Sequence, residues 1–170
     1  MYLNMAEKAN QLLQKYQVKD FPVPTDIIEQ IIYSEGISIE ITKYLKKSLY
    51  HEDNGSKVIF IGHALKNSLY REYLLHETAH RYHYGNTALQ DPIIVEKNEG
   101  QAKAFAAYFL MPIGVFESYL AKGESDYSLS QIFGVTQELV EFRKELSKSL
   151  IEGNIAITEL SEEYENMLEN

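Results

Sequence analysis

The stretch LLHETAHRYHYG, Leu74 to Gly85, places three of the chain's five histidines within eight residues. On a helix, His76 and His80 lie about one turn apart and project from one face. Both imidazoles can then reach a single Zn2+ at about 2 Å while the backbone holds their Cα atoms in place. Glu77 points to one side of that pair. It is placed to take a proton from a water attacking a carbonyl that the ion polarises, without being a ligand itself. The competing reading is a wet helix face, or histidines that merely pack. The metal reading needs a helix, and LYREYLLHETAHRYHY supplies one. Leu74, Leu75, Ala79 and Tyr82 offer apolar positions for burial, and no Gly or Pro interrupts the run. The spacing predicts a helix from Asn67 or Ser68 to about Tyr84, stopped by Gly85.

A catalytic zinc site takes three protein ligands and keeps one position open. Downstream candidates for the third are His83, Asp91, Glu96 and Glu99. His83 follows His80 on nearly the same face, yet it stands about 10 Å of axial rise from His76. Glu99 is better placed because of the residues after it. In EGQAKAFAAYF, Glu99, Ala102 and Ala106 share a helical face with Phe105 and Phe109 beside it. Small residues let two helix axes approach closely, so this helix can bring Glu99 to the histidine pair. The alternative for Glu99 is an exposed first-turn glutamate favoured by the helix dipole.

The rest of the chain frames this motif. Its 170 residues fit one globular domain with a proper core, and 45% apolar residues with seven Phe and thirteen Tyr argue against disorder. Cysteine is absent, so any metal must be held by imidazole and carboxylate. The N-terminus MYLNMAEKANQLLQKY lacks the pattern of a secretory signal, and no stretch has the length of a bilayer span. A cytoplasmic protein without membrane contact is expected. Of the net charge of -9, six negative charges come from glutamates after Lys148, where no Lys or Arg remains. No part of the chain carries the basic footprint of a nucleic-acid binder.

Periodicity predicts an α+β fold. An amphipathic helix covers 3–17, and a second, over about 25–34, buries Ile27, Ile28, Ile31 and Ile32 before Gly36. GISIEIT alternates as a strand, and LYHEDNGSKVIFIG reads as two strands around Asn54-Gly55, a tight hairpin signal. Together they predict a small antiparallel sheet of about three strands between roughly 37 and 62. Helices follow: one ending near Met111-Pro112, a short one at about 113–122, then a short helix, a turn at Gly134, a cap at Thr136 and a long last helix. The reading is one domain over 1–150 and an acidic C-terminal tail over 151–170.

HETAH followed by Glu99-Gly-Gln-Ala-Lys-Ala-Phe-Ala-Ala-Tyr-Phe-Leu-Met-Pro112 resembles the ImmA/IrrE family of bacterial and phage metallopeptidases. The resemblance spans about 1–150 and implies a compact zincin-like domain with one catalytic Zn2+. It implies His76, His80 and Glu99 as ligands and Glu77 as general base. It also implies a zinc-dependent endopeptidase acting on a protein partner, a helix-turn-helix repressor of a mobile element or stress response. Many relatives carry His-Glu-Leu-Gly-His where this chain has Thr78-Ala79, and His83 matches a further histidine that relatives often place after the motif.

Amide hydrolysis also needs a donor for the developing oxyanion. Tyr73, Tyr84, Tyr108 and His83 are candidates, each with core or rim packing as its plainer explanation; His83 is a candidate support for the ligands. Two rival functions accompany the peptidase. One is a zinc-stabilised antirepressor that binds its partner with little or no turnover. The other is a DNA-binding regulator using residues 128–150, whose SLSQIFGVTQELVEFRKEL has the cadence of a helix-turn-helix and offers Arg143, Lys144 and Lys148 to DNA.

Overall fold

The computed structural model describes residues 2–83 and 91–152, so Tyr84, Gly85 and the tail beyond 152 lie outside the described residues. Along the chain run α1 (Leu3–Lys15), α2 (Thr25–Ser34), β1 (Ile37–Thr42), β2 (Ser48–Asp53), β3 (Ser56–Gly62), α3 (Asn67–Ala79), a 3-10 turn (His80–Tyr82), α4 (Pro92–Leu110), α5 (Val115–Ala121), α6 (Asp126–Phe133) and α7 (Gln137–Glu152). The described residues form two compact units, one within 24–106 and one made of 2–23 and 107–152.

The first unit holds the sheet and α3. Asn54 and Gly55 both take positive φ, 48° and 81°, which the two-residue hairpin between β2 and β3 requires. The sheet is mixed rather than antiparallel: its order is β1-β3-β2, with β2 antiparallel and β1 parallel to β3. Gly62 is what lets β1 lie parallel to β3. The link from β1 to β2 passes over the end of β3, where Gly62 N donates to Lys47 O at 2.6 Å and His63 N to Thr42 O at 2.9 Å. A Cβ at Gly62 would lie 2.6 Å from Leu45 O, so only glycine leaves room for that crossing. The crossing carries β2 to the far edge and leaves β3, with Ile59 and Ile61 fully buried, in the centre.

Helix α3 packs on β2 and β3, and α2 packs on β1 and α3. Leu74, Leu75 and Ala79 are buried as their spacing implies, and Tyr70 donates its hydroxyl to Glu29 Oε1 on α2 at 2.6 Å. The α-helix ends sooner than the sequence spacing predicts. From His80 it tightens into a 3-10 turn, a frequent way for a last turn to finish. His80 keeps right-handed helical dihedrals, φ -62° and ψ -21°, so the one-turn relation to His76 survives. Helix α4 starts at Pro92, where a missing N–H costs nothing, and Asp91 Oδ1 accepts from Ile93 N at 2.8 Å. Ala102 and Ala106 are buried on this helix, with Phe105 against Tyr82, ring centroids 5.7 Å apart.

The second unit is helical. Ser125 caps α6, Gly134 ends it in the left-handed conformation, and Thr136 Oγ1 accepts from Leu139 N to cap α7. At its centre Arg143 is 0% exposed. Its guanidinium donates to Met111 O and Glu117 Oε1, each at 2.9 Å, and to Ser147 Oγ. The rings of Tyr108 and Phe116 cover its faces at 4.8 and 4.6 Å. Lys144 pairs with Asp126. Two of the three cations that a DNA-binding reading of α7 needs are therefore engaged within the protein.

Candidate metal centre

Helix α3 supplies His76 and the 3-10 turn that continues it supplies His80, and their ring centroids lie 5.1 Å apart. Helix α4 supplies Glu99, with Oε2 3.1 Å from His76 Nε2 and Oε1 3.4 Å from His80 Nε2. One ligand atom from each residue lies within 4.8 Å of the others. Atoms bound at about 2.0–2.1 Å to a tetrahedral ion stand roughly 3.3 Å from one another. The donor set, two imidazoles and one carboxylate, thus fits a single zinc ion in both chemistry and spacing. The His76 ring beside it lowers the pKa of Glu99, with both other histidines adding to the effect, so the carboxylate stays ionised. Burial lowers the pKa of His80 and keeps its imidazole neutral, the form that binds a metal.

Glu77 lies beside this trio and is held from the sheet. Its Oε1 accepts from Ser48 Oγ at 2.7 Å and its Oε2 from Tyr50 N at 2.8 Å. Oε2 also lies 4.0 Å from His80 Nε2. Glu77 is only 6% exposed, and that burial raises its pKa; the Ser48 hydroxyl, His76 and the Tyr50 amide pull it back. The result is a desolvated, oriented carboxylate beside the donor set.

His83, considered from sequence both as ligand and as support, is placed behind His80. The two Nδ1 atoms are 3.4 Å apart, and His83 Nε2 is 3.0 Å from Gln101 Oε1. Tyr73 lies edge-on to His76 with centroids 6.4 Å apart. Tyr108 belongs to the second unit, where its ring packs under Arg143 and its buried hydroxyl has no hydrogen-bond partner among the described residues. Tyr84 lies outside the described residues.

Sequence reasoning missed Ser48, Tyr50 and Gln101. Strand alternation alone places Ser48 and Tyr50 on one face of β2, but nothing local says that this face meets α3. Gln101 sits two residues beyond Glu99, and its partner His83 is 18 positions away in sequence.

The family model of the IrrE N-terminal-like domain, a peptidase family, matches residues 34–145. The chain belongs to this family. That bears out the resemblance carried by HETAH and the Glu99 helix. No curated protein matches the sequence. Among solved structures, a Mycobacterium tuberculosis transcriptional regulator is similar at 17% identity with a TM-score of 0.62. The likeness covers 81% of this IrrE-like chain and 44% of that one, so the chain spans less than half of that protein. At this identity the likeness shows a shared fold. Among the described residues, no single helix of the IrrE-like chain is long and apolar enough to cross a membrane.

Proposed function

We propose that this IrrE-like chain is a zinc-dependent endopeptidase in which His76, His80 and Glu99 hold the ion and Glu77 is the general base. The observation that carries the reading is Glu77 itself, a buried carboxylate pinned by Ser48 and Tyr50 beside a three-residue donor set that does not include it. Family membership supports peptidase chemistry.

When bound, zinc supplies a Lewis acid that polarises the scissile carbonyl and makes water more acidic. The chain's own residues do the proton work. Glu77 takes the proton of the attacking water on Oε2, the oxygen nearer His80, and passes it to the departing amine. Burial makes this carboxylate a stronger base than an exposed one, and the two hydrogen bonds from β2 keep it aimed. His76 on α3 and His80 at the start of its 3-10 continuation, one turn apart, fix the donor atoms against which the carbonyl is positioned.

The substrate in this reading is a cytoplasmic regulatory protein, a helix-turn-helix repressor, as the ImmA/IrrE resemblance implies. The same two hydrogen bonds favour a second reading, an antirepressor that binds without turnover, because both Glu77 oxygens already have partners. Each oxygen keeps a second lone pair, which leaves the base competent. Glu77→Gln separates the two. The peptidase reading expects zinc and repressor binding to persist while fragments of a helix-turn-helix repressor disappear from the mass spectrum. Relief of repression by Glu77→Gln equal to that by the parent would sink it.

A further inference from the structure

The two ring nitrogens of His80 face different neighbours. Nε2 lies 3.4 Å from Glu99 Oε1, and Nδ1 lies 3.4 Å from Nδ1 of His83. The far nitrogen of His83, Nε2, is 3.0 Å from Gln101 Oε1. An amide oxygen can only accept, so His83 Nε2 must donate. A neutral imidazole carries one N–H, which leaves His83 Nδ1 with a lone pair. The proton between the two Nδ1 atoms therefore belongs to His80. His80 Nε2 is left with a lone pair aimed at a carboxylate oxygen, an arrangement that repels unless a cation lies between them.

We infer that Gln101 and His83 are positioning residues that fix His80 as its Nδ1–H tautomer and so make Nε2 its metal-donor atom. The inference rests on the reading of His80 as a zinc ligand. It gives a single direction to the chain of hydrogen bonds, from His80 through His83 to Gln101. Helix α4 contributes both ends of the arrangement, Glu99 to the ion and Gln101 to the relay. Partners of this kind typically change metal affinity 10–100-fold when removed.

The test is Zn2+ affinity of the full chain by competition with a chromogenic chelator, for the parent, His80→Ala, His83→Phe, Gln101→Met and Gln101→Glu. The relay predicts that His83→Phe and Gln101→Met weaken zinc binding by about 10–100-fold. Gln101→Glu keeps parent-like affinity, since a carboxylate still accepts from His83 Nε2. Long-range 1H–15N spectra of the zinc-loaded protein should show His83 protonated at Nε2 in the parent and in Gln101→Glu. Gln101 is partly exposed, so its two variants carry the test even where His83→Phe disturbs folding. If Gln101→Met binds zinc as the parent does while His80→Ala does not, the relay is wrong and the metal site stands. Equal losses in Gln101→Glu and Gln101→Met would also overturn it, because packing rather than proton direction would then be at stake. Parent-like binding by His80→Ala would overturn the metal reading itself and the relay with it.

Discussion

The hydroxyl of Ser48 donates to Oε1 of Glu77 at 2.7 Å, across 29 positions of sequence. An edge strand thus aims the carboxylate that the histidine helix supplies. The bond is charge-assisted and largely shielded from water, the setting in which such bonds are strongest.

Ser48→Ala should therefore separate orientation from metal binding. The ligands are untouched, so zinc affinity stays at the parent's level. Losing a hydrogen bond to a charged group, worth about 1.5 kcal/mol or more, predicts at least about a tenfold fall in kcat. Steady-state kinetics on a cleaved repressor, with zinc content measured on the same samples, checks both halves. Unchanged kcat would mean that the Tyr50 amide alone orients Glu77.

Gly62 predicts a stability effect remote from the chemistry. A methyl group there meets the Leu45 and Lys47 carbonyl oxygens at 2.6 and 2.8 Å, and both are backbone atoms with little freedom to move. Gly62→Ala should destabilise by about 1–3 kcal/mol, the usual cost of overpacking. Urea denaturation followed by circular dichroism measures it, and a parent-like midpoint would show that the crossing loop yields easily.

In the helical unit, the buried Arg143 ties Met111, Glu117 and Ser147 together. Arg143→Met leaves Glu117 without its guanidinium and strips donors from Met111 O and Ser147. A loss of about 3 kcal/mol or more is expected, as for one half of a buried ion pair. Arg143→Lys should recover little of it, because a single ammonium cannot reproduce the forked geometry. Chemical denaturation of the two variants against the parent tests this.

Much of the site was legible because it rests on spacing within helices. His76 and His80 share a face wherever a helix forms, so the histidine pair followed from local pattern, and the fold brings Glu99 of α4 to it. The hairpin at Asn54-Gly55 was legible for the same reason, since its turn chemistry is local. Sheet order was not. Alternation in β1 identifies a strand but not its neighbour, and the parallel pairing with β3 depends on a crossing that Gly62 alone permits. Ser48, Tyr50 and Gln101 escaped because each acts on a residue of another element. The end of α3 also moved, since the residues from His80 onward satisfy their last turn with shorter-range bonds.

Whether His76, His80 and Glu99 hold zinc is read from zinc content by inductively coupled plasma mass spectrometry on purified parent, His76→Ala, His80→Ala and Glu99→Ala. A three-residue site predicts about one zinc per chain in the parent. Each variant should hold a substoichiometric amount, with helical circular dichroism retained. Parent-level zinc in both histidine variants would contradict that assignment.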